Sequence, residues 1–469
     1  MARLVIVSNR VPPPRERAGQ AGGLAVAVRD ALRKDGGLWF GWTGEVAETT
    51  TAALKILTSG RVTYATMDLG KTDHRQYYVG YANSTLWPML HYRVGLLEYK
   101  REEFEGYLRV NETMASALLP LLGPEDVIWV HDYHLIPFGQ ALRRQGVRNP
   151  IGIFLHTPFP VPALFEALPR QGLLLEALMA FDLIGFQTDL DLKAFHGCIT
   201  DIAKGEVGPD GAVTAYGRTA GAAVFPVGID GDGFARMAAS AAKSGETARL
   251  RDSLVGRRLI IGVDRLDYSK GLVNRFHAYD RLLESRPEHR AKVTFLQIAA
   301  RSRSDVAPYR ALRHELEQAA GRTNGRFAEF DWVPIRYLTR ALPRSTLAGF
   351  YRMSQVGFVT PLRDGMNLVA KEYVAAQPAE DPGVLVLSRF AGAAREFDAA
   401  MLVNPYDLDE MADTLHRALV MPIDERRSRW SAMMESVKRH SARSWSQSFL
   451  KALTAAAAER PARCLVASR

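Results

Sequence analysis

Cysteine is almost missing from this chain: Cys198 and Cys464 are the only two in 469 residues. They lie far apart and in no metal-like spacing. That excludes a disulfide scaffold and a cysteine-built zinc cage, and points by default to a reduced, cytoplasmic setting. Long apolar runs are missing too, so no stretch is expected to cross a bilayer and no membrane partner is expected. The apolar part of Met1–Val7 is too short for a signal peptide. The chain has no internal repeat, no low-complexity tract and no long basic run, although 60 Lys+Arg against 51 Asp+Glu leave a net charge of +9. Without a basic–aromatic stripe, nucleic acid is not an expected partner. Scattered loop arginines suit small anionic substrates better.

What is present is alternation. Apolar runs at 4–7, 127–130, 151–155, 183–186, 259–263, 293–298, 356–360, 384–387 and 401–403 read as strands. Helical patterns lie among them, for example at 23–32, 111–121, 138–145, 367–376 and 410–420. Such alternation predicts an α/β protein with parallel sheets covered on both faces. The length calls for two domains, with a join near 226–230. Residues 205–223, rich in Gly, Thr and Ala, read as a hairpin or loop on the first domain, and residues after 458 as a disordered tail.

The polar residues that carry chemistry cluster where strands should stop. Arg265 and Lys270 follow the run 259–263, in a loop that ends at Gly271. In an open α/β sheet, ligands bind beyond the carboxyl ends of the strands. A planar guanidinium and a movable ammonium there suit a diphosphate, although a solvated surface loop would carry the same two cations. The second signal is Thr360-Pro361-Leu362-Arg363-Asp364-Gly365-Met366-Asn367, with a helix expected from about Asn367. The amide groups of that helix start favour a phosphate. Asp364 and Glu372 can touch different parts of one elongated ligand; otherwise Asp364 caps the helix and Glu372 lies on a solvated face. Ser8-Asn9-Arg10 and Gly22-Gly23 follow the first strand as a further anion site. His131-Asp132-Tyr133-His134 and His156-Thr157-Pro158 end two more strands. Asp132 and His156 suit sugar hydroxyls. A metal on His131, Asp132 and His134 is the alternative, and it would favour a metal-dependent phosphohydrolase. Tyr77, Tyr78 and Trp87 fall in a less regular region, as core aromatics or as cover for a sugar. Arg301 and Arg303 add positive charge after the run 293–298.

These motifs, with Leu38-Trp39-Phe40-Gly41-Trp42, Leu86-Trp87-Pro88 and Phe390-Ala391-Gly392-Ala393-Ala394, occur in one order across residues 1–450. In that order they resemble the trehalose-phosphate synthase family of retaining glycosyltransferases. The resemblance implies two Rossmann-like domains facing across a cleft, the GT-B arrangement. The acceptor domain would span 1–228, with a helix at about 440–458 packing back on it, and the nucleotide-sugar domain 229–439. It implies UDP-glucose, or another nucleotide-glucose, as donor and glucose 6-phosphate as acceptor, with no cofactor and no metal. A homo-oligomer is expected. Carried residue by residue, Arg265 and Lys270 would bind the donor diphosphate and Glu372 the ribose. Asp364 and His156 would hold the transferred glucose beside Asn367, Leu368 and Val369. Gly23 would belong to a loop that moves when donor binds. Arg10, Tyr78 and Arg303 would hold the acceptor phosphate, with Arg301 competing for the last place, and Trp87 and Asp132 would line the acceptor sugar. A glucosylglycerol-phosphate synthase or related sister transferase would share the donor loop and differ in the acceptor pocket. A non-catalytic sugar-phosphate sensor on the same fold is a third class.

Overall fold

The computed structural model describes residues 3–13, 28, 29, 32, 36–301 and 307–458. Among the sequence-predicted site residues, Gly23 and Arg303 lie outside that set, as do Cys464, most of the helix expected at 23–32 and the tail after 458. The chain forms two compact units: one holds the described residues up to Pro226 together with those from Arg443 on, the other holds Val227–Ala442. Among the described residues, no helix is long and apolar enough to cross a membrane.

The first unit is built on β1 (Leu4–Arg10), β2 (Gly37–Ala47), β3 (Lys55–Ser59), β4 (Val62–Gly70), β5 (Val127–His131), β6 (Ile151–Phe154), β7 (Leu183–Phe186), β8 (Glu206–Val207), β9 (Ala212–Ala215) and β10 (Arg218–Val224). They form one sheet in the order β3-β4-β2-β1-β5-β6-β7-β10-β9-β8. From β4 through β10 every neighbour is parallel. The stretch expected as a hairpin is the antiparallel β8–β9–β10 edge. The second unit carries β11 (Arg258–Arg265), β12 (Val293–Ala300), β13 (Ile335–Leu338), β14 (Val356–Val359), β15 (Val384–Ser388) and β16 (Met401–Val403), all parallel, in the order β13-β12-β11-β14-β15-β16. Counted along the chain that is 3-2-1-4-5-6, the doubly wound order, and β4-β2-β1-β5-β6-β7 repeats it in the first unit.

In such a sheet the chain leaves the central strand in opposite directions, and the loops after the two strands at that point splay apart. The switch lies between β1 and β5 in the first unit and between β11 and β14 in the second. Every run expected as a strand forms one, with its ends moved by no more than a few residues. The strands are buried nearly throughout because helices cover both faces, which is why they read as continuous apolar runs.

One expectation is corrected. The irregular region around Tyr77 and Tyr78 is a helix, His74–Leu86, wound wider than an α-helix: the N–H of Trp87 at its end reaches the carbonyl of Ala82, five residues back. Its winding removes the 3.6-residue period that marks a helix in sequence. The last helix, Ala442–Ala458, returns to the first unit. Its Trp445 and Phe449 pack on Trp129 and Phe154, and Gly152 and Gly185 leave room for the Phe449 ring, since a Cβ there would lie 2.9 and 2.7 Å from it. Cys198 is buried in this unit, and burial pushes its thiol up to about 12, so it stays protonated and inert.

Candidate functional site

In the second unit the two loops at the switch point are joined through side chains. After β11 the chain turns on buried Asp267, whose carboxylate accepts the Ser269 N–H at 3.0 Å and the Tyr309 hydroxyl at 3.2 Å. Gly271 then takes φ +63°, and a Cβ there would sit 2.4 Å from the Thr360 carbonyl, so glycine is required. Between them, the Lys270 ammonium reaches across to Asp364 in the loop after β14. Asp364 also accepts the Asn367 side-chain amide at 2.9 Å. Arg265, at the carboxyl end of β11, has a half-exposed side chain and stands 4.0 Å from Asp267.

The helix expected near Asn367 is Leu368–Ala376, and its N-cap is Asn367, not Asp364: the Asn367 side chain accepts the Ala370 N–H at 3.2 Å with the backbone at φ +77°. That frees Asp364 to face Lys270. The amides of Leu368 and Val369 lie in the first turn, where an α-helix supplies no acceptor and the dipole favours an anion. Glu372 is not on a solvated face. It is largely buried and accepts from Arg344 at 2.9 Å; burial pushes its carboxyl above the usual range and Arg344 pulls it back. Arg301 is exposed beyond β12, its N–H on the Thr339 carbonyl at 3.3 Å.

In the first unit β1 and β5 end on the predicted acceptor residues. Arg10 closes β1, with its guanidinium laid against Gly44, where a Cβ would lie 2.5 Å from Nε. Gly44 itself is at φ +96°, so both its conformation and that approach need glycine. Asn9 accepts the Tyr77 hydroxyl at 2.8 Å. Tyr78 stands among aromatic rings, 5.3 Å from Trp42 and stacked at 6.0 Å on His134. Trp87 is buried against His91 and Tyr133 at 3.9 and 5.7 Å, so only its edge is open to any ligand.

Just past β5, Asp132 has φ +76° and ψ 166°. That region is nearly reserved for glycine, and holding another residue there costs roughly 1–3 kcal/mol. The strain turns the carboxylate toward the end of β6, where Asp132 accepts the His156 N–H at 3.2 Å while its own N–H bonds the Phe154 carbonyl at 2.8 Å. His131 and His156 meet ring to ring, Nδ1 to Nε2 at 3.1 Å. One of the two nitrogens donates and the other accepts, so the pair is built for neutral imidazoles. Burial drives both down: His131 lies well below its ordinary 6.5, and His156 is lowered to about 3. His131, Asp132 and His134 do not converge as metal ligands. Among the described residues the one group that does is Glu288, His289 and His416, where His289 and His416 already bond each other at 2.9 Å. His289 precedes β12, so that group sits at the opposite edge of the sheet from Lys270.

The histidine pair gives a pH prediction. In the unfolded chain an imidazole takes a proton near 6.5; in the fold His156 resists until about 3. Stability from this site is therefore complete above 6.5 and drains away as pH falls, by about 1.4 kcal/mol per unit well below that value. Urea midpoints at pH 7.5, 6 and 5 should fall more steeply for the wild type than for His156→Asn. Parallel slopes would mean that His156 is not held neutral.

Three site elements have no signal in the motifs: Arg344, Gly44 and Arg275. Arg275 could have been found. In the helix Leu272–Ser285 it falls on the stripe of buried Leu272, Phe276, Tyr279 and Leu283, and an arginine on an apolar face must be paired.

Comparison with known proteins agrees with this architecture over its full extent. The glycosyltransferase family 20 profile matches residues 2–455. Trehalose-6-phosphate synthase of Cronobacter sakazakii is 49% identical over 453 residues, covering 97% of this chain and 95% of that protein. The Sinorhizobium fredii trehalose-6-phosphate synthase is 49% identical over 458 residues, covering 97% and 99%. Among solved structures, an alpha,alpha-trehalose-phosphate synthase (UDP-forming) from Burkholderia xenovorans in complex with glucose-6-phosphate aligns with a TM-score of 0.95 at 52% identity, covering 97% of this chain and 100% of that one. A structure described as trehalose-6-phosphate from E. coli bound with UDP-2-fluoro glucose aligns at 0.92 and 47% identity, covering 96% and 99%. Matched from residue 2 to residue 455, and carrying the same doubly wound strand order in both units, this chain belongs to glycosyltransferase family 20.

Proposed function

We propose that this chain is a retaining glucosyltransferase that moves glucose from UDP-glucose to glucose 6-phosphate, giving α,α-trehalose 6-phosphate and UDP. The observation that carries this reading is the meeting of Lys270, Asp364 and Asn367 at the switch point of the second sheet, in a family whose relatives bear that activity in their names.

In the reaction the bond from glucose C1 to the diphosphate oxygen breaks, and a bond from C1 to the acceptor hydroxyl oxygen forms on the same face. The hydroxyl proton passes to the departing phosphate, so no protein nucleophile is needed. Arg265 and Lys270 meet the charge that develops on the leaving group, which is where fixed cations accelerate a reaction most. Glu372 accepts from the ribose hydroxyls, and Arg344 fixes its direction. Asp364 and the first-turn amides at Leu368 and Val369 orient the transferred glucose and the phosphate. In the first unit Arg10 and Tyr78 take the acceptor phosphate, while Asp132 and His156 take sugar hydroxyls. A neutral His156 suits that task, because it can donate to one hydroxyl and accept from another.

Mass spectrometry of products decides the reading. With UDP-glucose and glucose 6-phosphate, a phosphorylated disaccharide and UDP should appear in equal amounts, and chelator should not stop the reaction. With glycerol 3-phosphate as acceptor, turnover should be far lower. Preference for glycerol 3-phosphate would assign the sister transferase, and free inorganic phosphate with chelator-sensitive turnover would assign a phosphohydrolase.

A further inference from the structure

Arg275 has no exposed surface and spends its donors on four partners from three strand ends and one loop. Nη1 donates to Asp264 on β11 at 2.8 Å and to Gln297 on β12 at 2.9 Å. Nε donates to the Thr360 hydroxyl, just after β14, at 3.1 Å. Nη2 donates to the backbone carbonyl of Lys270 at 3.2 Å. The fit is close: a Cβ on Gly262 would lie 2.7 Å from Nη1 and 2.5 Å from the Gln297 carbonyl oxygen.

Lys270 is thus held at both ends, its carbonyl by Arg275 and its ammonium by Asp364. Through Thr360 the same guanidinium grips the start of the loop that carries Asp364. Buried ion pairs give little net stability over well-packed apolar groups, so stability alone does not call for this one. A planar fork that fixes two loops against each other serves position instead, since small misplacements of a catalytic group are costly.

We propose that Arg275 is a positioning residue for transfer: it touches no substrate and aims the Lys270 ammonium by locking the loops after β11 and β14 in register. The proposal rests on the diphosphate role given to Lys270 above.

The test uses Arg275→Lys, which keeps the charge beside Asp264 but cannot reach all four partners, and Thr360→Val, which removes one acceptor at almost constant volume. UDP titration by calorimetry reads affinity and stoichiometry separately, and steady-state kinetics read kcat and each KM. Arg275→Lys should weaken UDP and lower kcat by about ten-fold or more, at wild-type stoichiometry and with the KM for glucose 6-phosphate unchanged. Thr360→Val should move UDP affinity and kcat the same way by a smaller factor, and it carries the test if Arg275→Lys does not fold. In a Lys270→Ala background, adding Arg275→Lys should change UDP affinity by less than about two-fold, because the residue it aims is gone.

A purely structural Arg275 would lower the melting temperature and the active fraction while leaving the UDP dissociation constant and the kcat per active site at wild-type values. That result would overturn the proposal, as would a full ten-fold effect persisting without Lys270. A wild-type enzyme that binds no UDP would fail the function proposed above, and this inference would fall with it.

Discussion

Alanine at Lys270 is expected to lower kcat by roughly a hundred- to a thousand-fold while the KM for glucose 6-phosphate stays put. The ammonium is largely shielded, with an 11% exposed side chain, and is paired with an equally shielded Asp364. A charge in that setting acts through a lower effective dielectric than a surface lysine does. At about 4 Å and an effective dielectric of 20, one unit charge on another is worth about 4 kcal/mol. Part of that attraction is already present toward the bound diphosphate. The remainder grows only as the C1–O bond opens, and that part appears in kcat. Removing Lys270 also takes a partner from Asp364 and loosens the loop that presents Asn367 and the helix start, so UDP should bind more weakly as well. Acceptor contacts come from Arg10, Tyr78 and Asp132 on the other unit and should not feel the change. Initial rates with each substrate varied, together with UDP calorimetry, check all three expectations. A Lys270→Ala enzyme within about ten-fold of wild-type kcat would take the leaving group away from this residue.

The donor side of the site was legible because parallel strands buried on both faces leave a strong trace. The Leu259–Ile261 run is apolar at every position, and the first polar residues after it mark the strand end where function collects. The same reasoning found His131, Asp132 and His156 at the ends of β5 and β6. What it could not supply was who pairs with whom. Asp364 and Glu372 each had a bland alternative, as a cap and as a solvated face. These dissolve only once Asn367 is seen to cap the helix and Arg344, 28 residues upstream, to meet Glu372. The strain at Asp132 was invisible because φ is set by the β5–β6 connection and not by the aspartate. The helix at His74–Leu86 escaped for a different reason: its wide winding puts buried Tyr77, Tyr81 and Leu86 out of the period that identifies helices. Long-range partners and unusual winding are tertiary outcomes, and local pattern carries neither.

Gly392→Ala should be the most damaging single-methyl change in the second unit. Residues 390–393 lie backbone to backbone along the loop after β14: the Asp364 N–H donates to the Phe390 carbonyl at 3.1 Å, the Gly392 N–H to the Asp364 carbonyl at 3.0 Å, and the Ala393 N–H to the Met366 carbonyl at 2.7 Å. A Cβ on Gly392 would stand 1.8 Å from the Gly365 carbonyl oxygen and 2.9 Å from the Met366 Cα. Both neighbours are backbone, so no rotamer can relieve the clash; one of the two segments must move by more than about an ångström. Overpacking of this kind costs roughly 1–3 kcal/mol in stability, occasionally more. The larger loss falls on function, because the segment that moves holds Asp364 and Asn367, and a displacement of that size at a reacting centre costs about a hundred-fold in rate. The control is Gly321→Ala in the helix Ala307–Phe327, where an added Cβ meets nothing within 4 Å and alanine should gain up to about 1 kcal/mol. Thermal melts and UDP-glucose kinetics on the two variants separate the contributions. A Gly392→Ala enzyme that melts and turns over like the Gly321→Ala enzyme would mean that the 390–393 segment does not set the position of Asp364.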